Sequence, residues 1–190
     1  VRARILWKED AISSGDRLMV SKNNYFWTQD YDDLPFLANG DTLEVVRLRN
    51  EHEMYGFRFA EASLRSIDYD WEIDALLWLD TLTTDTPEQN YPLQQTLFSR
   101  IAEDYPEIHN RKELVKKVYE SEYYNALQVR FAYAVTCHKA QGGQWKHVYI
   151  DAGNIAQDKE RMGNLQEYQE YLRWLYTALT RATEKVFWIG

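Results

Sequence analysis

The sequence predicts an α/β protein that combines a parallel sheet with a small β-barrel carrying helices, and three observations support this prediction. From Val129 to Asp151 an alternating strand, a glycine turn and a second strand follow one another, and a helix and a last strand come later. That order is typical of a parallel α/β layer. Several short strands with long polar turns precede it, which is typical of a small barrel. Acidic residues are concentrated in the middle of the chain, which favours two parts with different roles.

The composition favours a folded protein and excludes several classes. With 190 residues, 45% of them apolar and 15% aromatic, the chain can bury a substantial core. It has no apolar run near the ~20 residues of a membrane helix and no secretory signal. Its single cysteine, Cys137, suits a reducing compartment, so we expect a cytoplasmic protein. Because it starts at Val1 and ends at Gly190 directly after an apolar run, we expect it to be a piece of a longer chain.

The formal net charge of −8 does not favour a nucleic-acid partner for the chain as a whole. The distribution of the charge changes this interpretation. Between Glu51 and Gln128 there are 16 acidic and 7 basic residues, whereas the rest of the chain is nearly balanced. The acidity therefore belongs to the middle segment, and the two ends stay compatible with nucleic acid.

The first two thirds of the chain show strand and turn signals followed by two helices. Asn39-Gly40-Asp41 is a strong turn signal that leads into a strand. The apolar stretch Trp71–Thr83 fits a helix and a strand equally well. Periodicity predicts strands near 18–20, at 42–48 and from 55 to 59, and helices at 93–104 and 111–121.

The last third carries a short helical turn between two strands and then a long helix. Thr136 is a good N-cap type, so Cys137–Gln141 is predicted to form a turn that Gly142 and Gly143 close. Asn164-Leu165-Gln166-Glu167 is a capping box, and it starts a helix with apolar residues at helical spacing. The predicted strands of this part are Val129–Val135, Lys146–Asp151 and Val186–Ile189.

The loop from Thr136 to Gln144 is the first candidate site. Ligands in a parallel α/β sheet sit beyond the carboxyl ends of the strands, and we expect the loop at such an edge. A glycine turn attracts phosphate, and Thr136, His138 and Lys139 can donate further hydrogen bonds. Taken alone, the same residues also fit a capping threonine and a surface histidine and lysine. Cys137 beside one histidine lacks the ligand count of a zinc site, so we interpret it as structural and expect no metal site.

Arg181 is the second candidate. It ends an apolar helix in the run YTALTRATEK and is expected at the same sheet edge as the loop. An arginine in this position can be a dipole partner of the helix or a plain surface charge. Its planar fork of donors is also what a transferring phosphoryl group requires from a catalytic arginine. The residue type alone leaves both interpretations open.

The two candidates lie in stretches that resemble a known family. YAVTCHKAQGGQW and LYTALTRATEK resemble motifs V and VI of superfamily 1 DNA helicases, in the RecD-like and Dda-like branch with its UvrD-like C-terminal domain. Upstream, GDRLMVSKNNYFW and ANGD are similar to a further block of this branch. The matching residues are Thr136, His138, Lys139, Ala140, Gln141 and Gly142 in the first motif, and Tyr176, Ala178, Leu179, Thr180, Arg181 and Ala182 in the second.

The resemblance implies a fold and a function. Residues 1–49 and 129–190 are expected to form parts of the second RecA-like motor domain, of the P-loop NTPase type, with a parallel sheet. Residues 50–128 are expected to form an acidic, SH3-like β-barrel with helices inserted between them. The implied function is ATP-driven translocation and unwinding on single-stranded DNA, as part of an exodeoxyribonuclease/helicase of DNA repair or recombination.

The resemblance also implies residue roles. Arg181 is the expected catalytic arginine finger, which reaches the γ-phosphate of ATP on the first RecA-like domain. Relatives usually carry glutamate where Gln144 stands, and glutamine can accept the same hydrogen bond without the charge. The expected nucleotide-binding residues are Gly142, Gly143, Gln144 and Gln141. The expected DNA-binding residues are Thr136, His138 and Lys139, with Asn24, Tyr25 and Asn39 as further candidates for which a turn role is an equal alternative.

The implied cofactors are ATP and Mg²⁺, held mainly by an N-terminal RecA-like domain, because this sequence has no G-x-x-x-x-G-K-[ST] loop and no Asp-Glu pair. The chain alone is therefore expected to hold no cofactor and to hydrolyse no ATP. The lack of a [DE]-x-K signature predicts no nuclease site. Expected partners are single-stranded DNA, that N-terminal domain and a protein contact through the acidic insert, but no membrane. The alternative is a nucleic-acid-binding or regulatory module with vestigial motifs, and an RNA motor also stays open.

Overall fold

The structure, a computed structural model, describes residues 6–84, 89–138, 140–151 and 165–189. Contacts divide the chain into two units, Val1–Tyr133 and Ala134–Gly190. Within the described residues, the first unit holds five strands, two α-helices and a short 3-10 helix, and the second holds two strands and one α-helix. None of the helices in this described part has the length and apolar character needed to span a membrane.

The first unit is built on a closed barrel, so the predicted small barrel is present. Neighbouring strands pair antiparallel, except that the fourth and fifth are parallel, and the first strand closes the barrel on the fifth. Leu18, Leu43 and Leu64 are fully buried in its interior because alternate residues of each strand point inward. The strands are β1 (Arg17–Val20), β2 (Thr42–Met54), β3 (Phe57–Ser66), β4 (Glu72–Trp78) and β5 (Leu127–Phe131).

β2 and β3 form the longest hairpin of the barrel. Its turn is Tyr55-Gly56, with φ angles of 53° and 66°, which matches the twist of the flanking strands. The Arg100 guanidinium donates a hydrogen bond to the Tyr55 carbonyl and lies 5.4 Å from the centre of the Phe57 ring. A side chain at position 56 would collide with that guanidinium, so the close approach requires glycine.

Two helices, α1 (Asn90–Ala102) and α2 (Arg111–Tyr119), pack against the barrel through a second buried cluster. Leu97 of α1 and Val118 of α2 are buried there with Trp78 of β4. The predicted helices at 93–104 and 111–121 are confirmed, with ends that differ by a few residues. The stretch Trp71–Thr83, whose sequence fits a helix and a strand equally well, forms strand β4 and then a 3-10 helix, Leu79–Thr83.

The division into units differs from the expected one. We expected residues 1–49 and 129–190 to share a domain and 50–128 to form the insert. In the structure β1, β2 and β5 all belong to the barrel, and the boundary falls between Tyr133 and Ala134. Alternating apolar residues fit a barrel strand and an open-sheet strand equally well, and the deciding partners are far apart in sequence. Leu18, for example, lies opposite Phe131.

The described residues of the second unit form a parallel strand pair and one helix. Its elements are β6 (Trp145–Asp151), α3 (Leu165–Leu179) and β7 (Ala182–Ile189). β6 and β7 are parallel, so the predicted strand–helix–strand order and strand direction are confirmed. The rings of Trp174 on α3 and Trp188 on β7 meet edge to face with their centroids 6.4 Å apart. The predicted capping box begins at Asn164, which lies outside the described residues.

Candidate functional site

The loop from Thr136 to Gly143 forms a compact turn directly before β6. The amide of Ala140 donates to the carbonyl of Thr136 at 3.1 Å, and the amide of Gly143 donates to the carbonyl of Ala140 at 3.2 Å. Gly142 then adopts a φ of 96°, a conformation that favours glycine and ends the turn. The predicted helical turn closed by glycines is therefore confirmed.

The side chain of Arg181 contacts this loop from the end of α3. Its Nη1 donates to the carbonyl of Gly143 at 3.0 Å, and its Nε donates to the carbonyl of Thr177 at 3.0 Å. Nη2 donates to Oγ1 of Thr180 at 3.1 Å. The side chain is only half-buried, and the guanidinium has more N–H groups than these three bonds use. It is thus held in place by the end of α3 and by the glycine loop, with donors still directed to solvent.

Both stretches lie at one edge of the strand pair, as predicted, but not at the expected end of the strands. The backbone amide of Trp145 donates to the carbonyl of Arg181 at 2.8 Å, where β6 and β7 begin. The site is therefore at the amino-terminal edge of these two strands, whereas we expected the carboxyl edge. The reason is that β5, the strand before the loop, pairs within the barrel and contributes nothing to this sheet.

Gly143 is favoured by a contact with a neighbouring side chain, whereas Gly142 is favoured by its backbone conformation. A Cβ at position 143 would collide with the indole ring of Trp145. Glycine therefore lets the loop backbone pass close to this ring and lets the Gly143 carbonyl reach Arg181. Sequence reasoning had identified the glycine pair but not the tryptophan two positions later. The spacing G-x-W was the only signal.

The side chains expected to contact ligands are exposed around the loop. Thr136, His138, Gln141 and Gln144 are all exposed, and their side chains make no hydrogen bond to another described residue. Their donors and acceptors are therefore available to a ligand. Lys139, the third expected DNA-binding residue of the loop, lies outside the described residues.

Cys137 connects the loop to α3. Its Sγ donates to the backbone carbonyl of Trp174 at 3.5 Å. Burial raises the pKa of the Cys137 thiol, and the Arg181 guanidinium opposes that rise. The thiol is thus half-buried, hydrogen-bonded and close enough to Arg181 to sense its charge. The described residues include no group of three or more His, Cys, Asp or Glu side chains that could hold a metal ion.

The three weaker DNA-contact candidates belong to the barrel unit. Nδ2 of Asn24 donates to the carbonyl of Asn125 at 2.8 Å, and its Oδ1 accepts from the amide of Phe26 at 3.0 Å, so this side chain holds its own loop. Tyr25 is 60% exposed, and Asn39 is exposed at a turn. Contact with DNA stays a prediction for all three residues.

Sequence reasoning missed the residues that orient Arg181. Thr177 and Thr180 accept hydrogen bonds from its guanidinium, and the Thr177 carbonyl lies one helical turn before it. The spacing of four residues from Thr177 to Arg181 was visible in YTALTRATEK, but it also fits an ordinary solvent-exposed helix face. The bond between Thr177 and Arg181 can be understood as orienting the guanidinium only when the structure shows that the end of α3 contacts the loop.

A part of the chain matches the model of a known protein family. The family model of the UvrD-like helicase C-terminal domain matches residues 131–189, and no curated protein matches the chain. The matched stretch contains the glycine loop, both strands of the parallel pair and Arg181. The second unit therefore carries a helicase C-terminal-like domain, which supports the helicase superfamily and a helicase-related function and is consistent with nucleic-acid binding.

Proposed function

We propose that this chain is part of the second RecA-like motor domain of an ATP-dependent DNA helicase of the RecD-like branch. The observation that carries the proposal is the hydrogen bond from the Arg181 guanidinium to the Gly143 carbonyl, at 3.0 Å. This bond joins the end of α3 to the glycine loop, so the two stretches that resemble helicase motifs meet at one point. The helicase C-terminal-like match over residues 131–189 supports the same function.

In the proposed reaction, ATP is the substrate and is held by a first RecA-like domain in the longer protein. Arg181 donates its remaining N–H groups to the oxygens of the transferring phosphoryl group, whose negative charge it stabilises. The bonds to Gly143 and Thr177 fix the guanidinium beforehand, so little reorganisation accompanies the transfer. An arginine in this role typically contributes a factor of roughly 10³ to 10⁵ to the rate.

The loop residues bind the nucleotide and the DNA strand in this proposal. Gly142 and Gly143 present backbone to the nucleotide, and the exposed amides of Gln141 and Gln144 hydrogen bond to its phosphate or sugar. Thr136 and His138 donate to the phosphates of a single DNA strand, with Lys139 as a third contact. Because Arg181 is bonded to the same loop, a change at the phosphoryl group can be transmitted to the strand contacts, and the cycle drives translocation.

The residues present fit an ATP molecule that is bound jointly with a first RecA-like domain better than one that is bound by this chain alone. The glycine turn and the arginine suit phosphate oxygens, and no carboxylate stands between Thr136 and Trp145 to repel them. Mg²⁺ would take its ligands from the phosphates and from the first domain, since the described residues offer no cluster of ligating side chains. We therefore propose that this chain alone hydrolyses no ATP.

The test is replacement of Arg181 in the longer protein that includes the ATP-binding domain. Arg181→Ala is expected to lower single-strand-stimulated ATP hydrolysis by roughly 10³-fold or more, while strand affinity stays within about twofold. Arg181→Lys is expected to recover little, because an ammonium cannot replace the planar fork. Arg173→Ala is the matched control, since Arg173 is exposed on the same helix and should leave the rate unchanged.

Unchanged hydrolysis in Arg181→Ala would contradict the proposal and favour the alternative, a nucleic-acid-binding or regulatory module with vestigial motifs. Comparing stimulation of hydrolysis by single-stranded DNA and by RNA of the same sequence separates a DNA motor from an RNA motor. Hydrolysis by the purified 190-residue chain above the level of an Arg181→Ala preparation would contradict the shared-substrate part of the proposal.

A further inference from the structure

A groove of about 240 Å³ opens on the barrel unit, and its lining does not include Arg181 or the glycine loop. One wall is the loop after β1, with Lys22 and Tyr25, and the other wall includes Tyr119 and Tyr124 at and beyond the end of α2. Gln128 of β5 also lines it. The two walls are tied together, because the Asn125 carbonyl accepts hydrogen bonds from the loop, at 2.8 Å each, through Nδ2 of Asn24 and Nε1 of Trp27.

The groove presents flat aromatic surfaces that are already fixed. Tyr25 is 60% exposed and stacks on Phe36, with ring centroids 5.0 Å apart. Tyr119 is 55% exposed and stacks on Tyr124, with centroids 5.0 Å apart and the rings within 12° of parallel. An exposed ring whose position is held by a second ring loses little conformational entropy when a planar ligand stacks on it.

The polar lining is rich in amides and lacks carboxylates. Among the described residues that line the groove there is no Asp or Glu, although the segment from Glu51 to Gln128 holds 16 of them. Amide side chains can pair with the donor and acceptor edges of nucleobases. The lining amides are Asn23, Asn24, Gln29, Gln94, Asn125 and Gln128.

Gln128 and Lys22 are the two groups that point to a ligand. Gln128 is only 8% exposed, and its Oε1 accepts from Nδ2 of Asn90 at 3.2 Å, whereas its Nε2 donates to no other described residue. Lys22 donates to Oε1 of Gln94 at 3.0 Å and pairs with no carboxylate in the described part of the chain. Burial lowers the pKa of Lys22, a sign that its ammonium is partly desolvated. An unused donor on a side chain that is mostly buried and a cation without a carboxylate partner suit a planar ligand that carries an anion.

We propose that this groove binds a nucleobase with its phosphate, the base stacking on Tyr25 or Tyr119 and pairing with the amides, and the phosphate lying near Lys22. The ligand can be a nucleotide within a single strand or a free nucleotide. The strand source deepens the proposed function and rests on it, because a helicase brings single-stranded DNA to the protein. Stacking and amide pairing, rather than overall charge, provide the recognition, which explains how an acidic unit can bind an anionic ligand.

The experiment measures binding of two probes, a short fluorescent oligo-dT and free TMP, to the 190-residue chain. Tyr25→Ala and Tyr119→Ala are each expected to weaken binding roughly tenfold, because stacking on an aromatic side chain is lost. Tyr25→Phe and Tyr119→Phe keep the ring and are expected to stay within about twofold. Tyr69→Ala is the matched control, since Tyr69 is 66% exposed on the same unit and does not line the groove.

The outcomes separate the two ligand sources. Tyrosine-dependent binding of oligo-dT alone assigns the groove to a strand, and tyrosine-dependent binding of TMP assigns it to a free nucleotide. Failure of the chain to bind either probe overturns the proposal, as does an equal loss in Tyr69→Ala. Thermal unfolding followed by circular dichroism shows whether an alanine variant is folded. If it is not, Tyr25→Leu and Tyr119→Leu, which keep an apolar side chain but remove the aromatic ring, are measured instead and are expected to show the same loss of binding.

A second background keeps this test independent of the proposed function. In a chain carrying Thr136→Val and His138→Ala, the effect of the groove tyrosines is expected to persist, because these two residues belong to the other unit. If the double change itself has no effect on oligo-dT binding while the tyrosine variants still weaken it, the strand contacts of the proposed function fail and the groove stands. If only the double change acts, the groove proposal is overturned.

Discussion

The barrel unit buries its apolar residues far more completely than the second unit does. In the barrel, Leu18, Leu64 and many of their neighbours have no exposed surface. Among the described residues of the second unit, the buried apolar side chains are Ala140, Ile150 and Ala178. Large side chains of that unit remain open to solvent, among them Tyr149 at 65% and Trp188 at 46% exposure. The two units of the chain thus differ in how much apolar surface each buries within itself.

The difference follows from the way each sheet is closed. A barrel pairs every strand with two neighbours, whereas a two-stranded parallel sheet leaves an unpaired edge on each strand. Parallel sheets are normally covered on both faces, and one helix can cover only one. We therefore expect the candidate site to lie on the less stable part of the chain, where the binding free energy of a ligand or a neighbouring domain is a larger share of the total stability. The residues of the glycine loop and Arg181 thus belong to one unit, and the residues of the fully buried barrel core belong to the other.

The largest expected effect comes from removing a core side chain of the barrel. Leu64→Ala is expected to lower the free energy of unfolding of the barrel by roughly 2–5 kcal/mol, because Leu64 is fully buried and a cavity remains. Leu172→Ala removes the same atoms from a side chain of α3 that is 42% exposed, and less than about 0.5 kcal/mol is expected. Urea denaturation followed by hydrogen exchange of the amides of each unit measures both values. Similar losses for the two variants would contradict the contrast between the units.

A smaller effect is expected from a buried hydroxyl of the barrel. Oγ1 of Thr81 donates to the Trp78 carbonyl at 2.7 Å and accepts from the Val129 amide at 3.0 Å. Thr81→Val leaves that amide buried without a partner, and a loss of roughly 1–3 kcal/mol in the free energy of unfolding is expected. Thr96→Val is the control, because the Thr96 hydroxyl is exposed on α1 and its loss should change stability little. An unchanged free energy of unfolding in Thr81→Val would show that the barrel tolerates a Val129 amide without a hydrogen-bond partner.

The elements of both units could be predicted from local patterns, but their assembly could not. Alternation identified β1 and β5, and helical spacing identified α1 and α2, because these signals depend on neighbouring residues. The pairing of Leu18 with Phe131 depends on residues more than a hundred positions apart, and the same alternation would fit an open sheet. Domain boundaries drawn from charge and resemblance therefore missed the closure of the barrel.

The candidate site divides in the same way. The loop glycines and Arg181 were identified from short motifs, and their contact could be expected because each motif has a fixed place at a sheet edge. The groove on the barrel unit could not be found, because it joins Tyr25 to Tyr119 and Gln128 across most of the chain. No spacing rule connects such residues. Only the pairing of β1 with β5 and the bonds to the Asn125 carbonyl bring them together.

The smallest expected effect is a shift in the pH dependence of Cys137 alkylation, and it tests the site in the less stable unit directly. Burial raises the pKa of this thiol and the Arg181 guanidinium lowers it, so loss of the positive charge should raise the pKa further. Since the thiolate is the reactive form, Arg181→Gln is expected to move the rise of the iodoacetamide rate to higher pH. The glutamine keeps a polar side chain without the charge. Cys137 is the only cysteine in the chain, so the rate reports one group. Arg173→Ala, at an exposed position of the same helix, should leave the profile unchanged. An unchanged profile in Arg181→Gln would mean that the guanidinium does not lie beside the loop in solution, and the basis for its catalytic role would be lost.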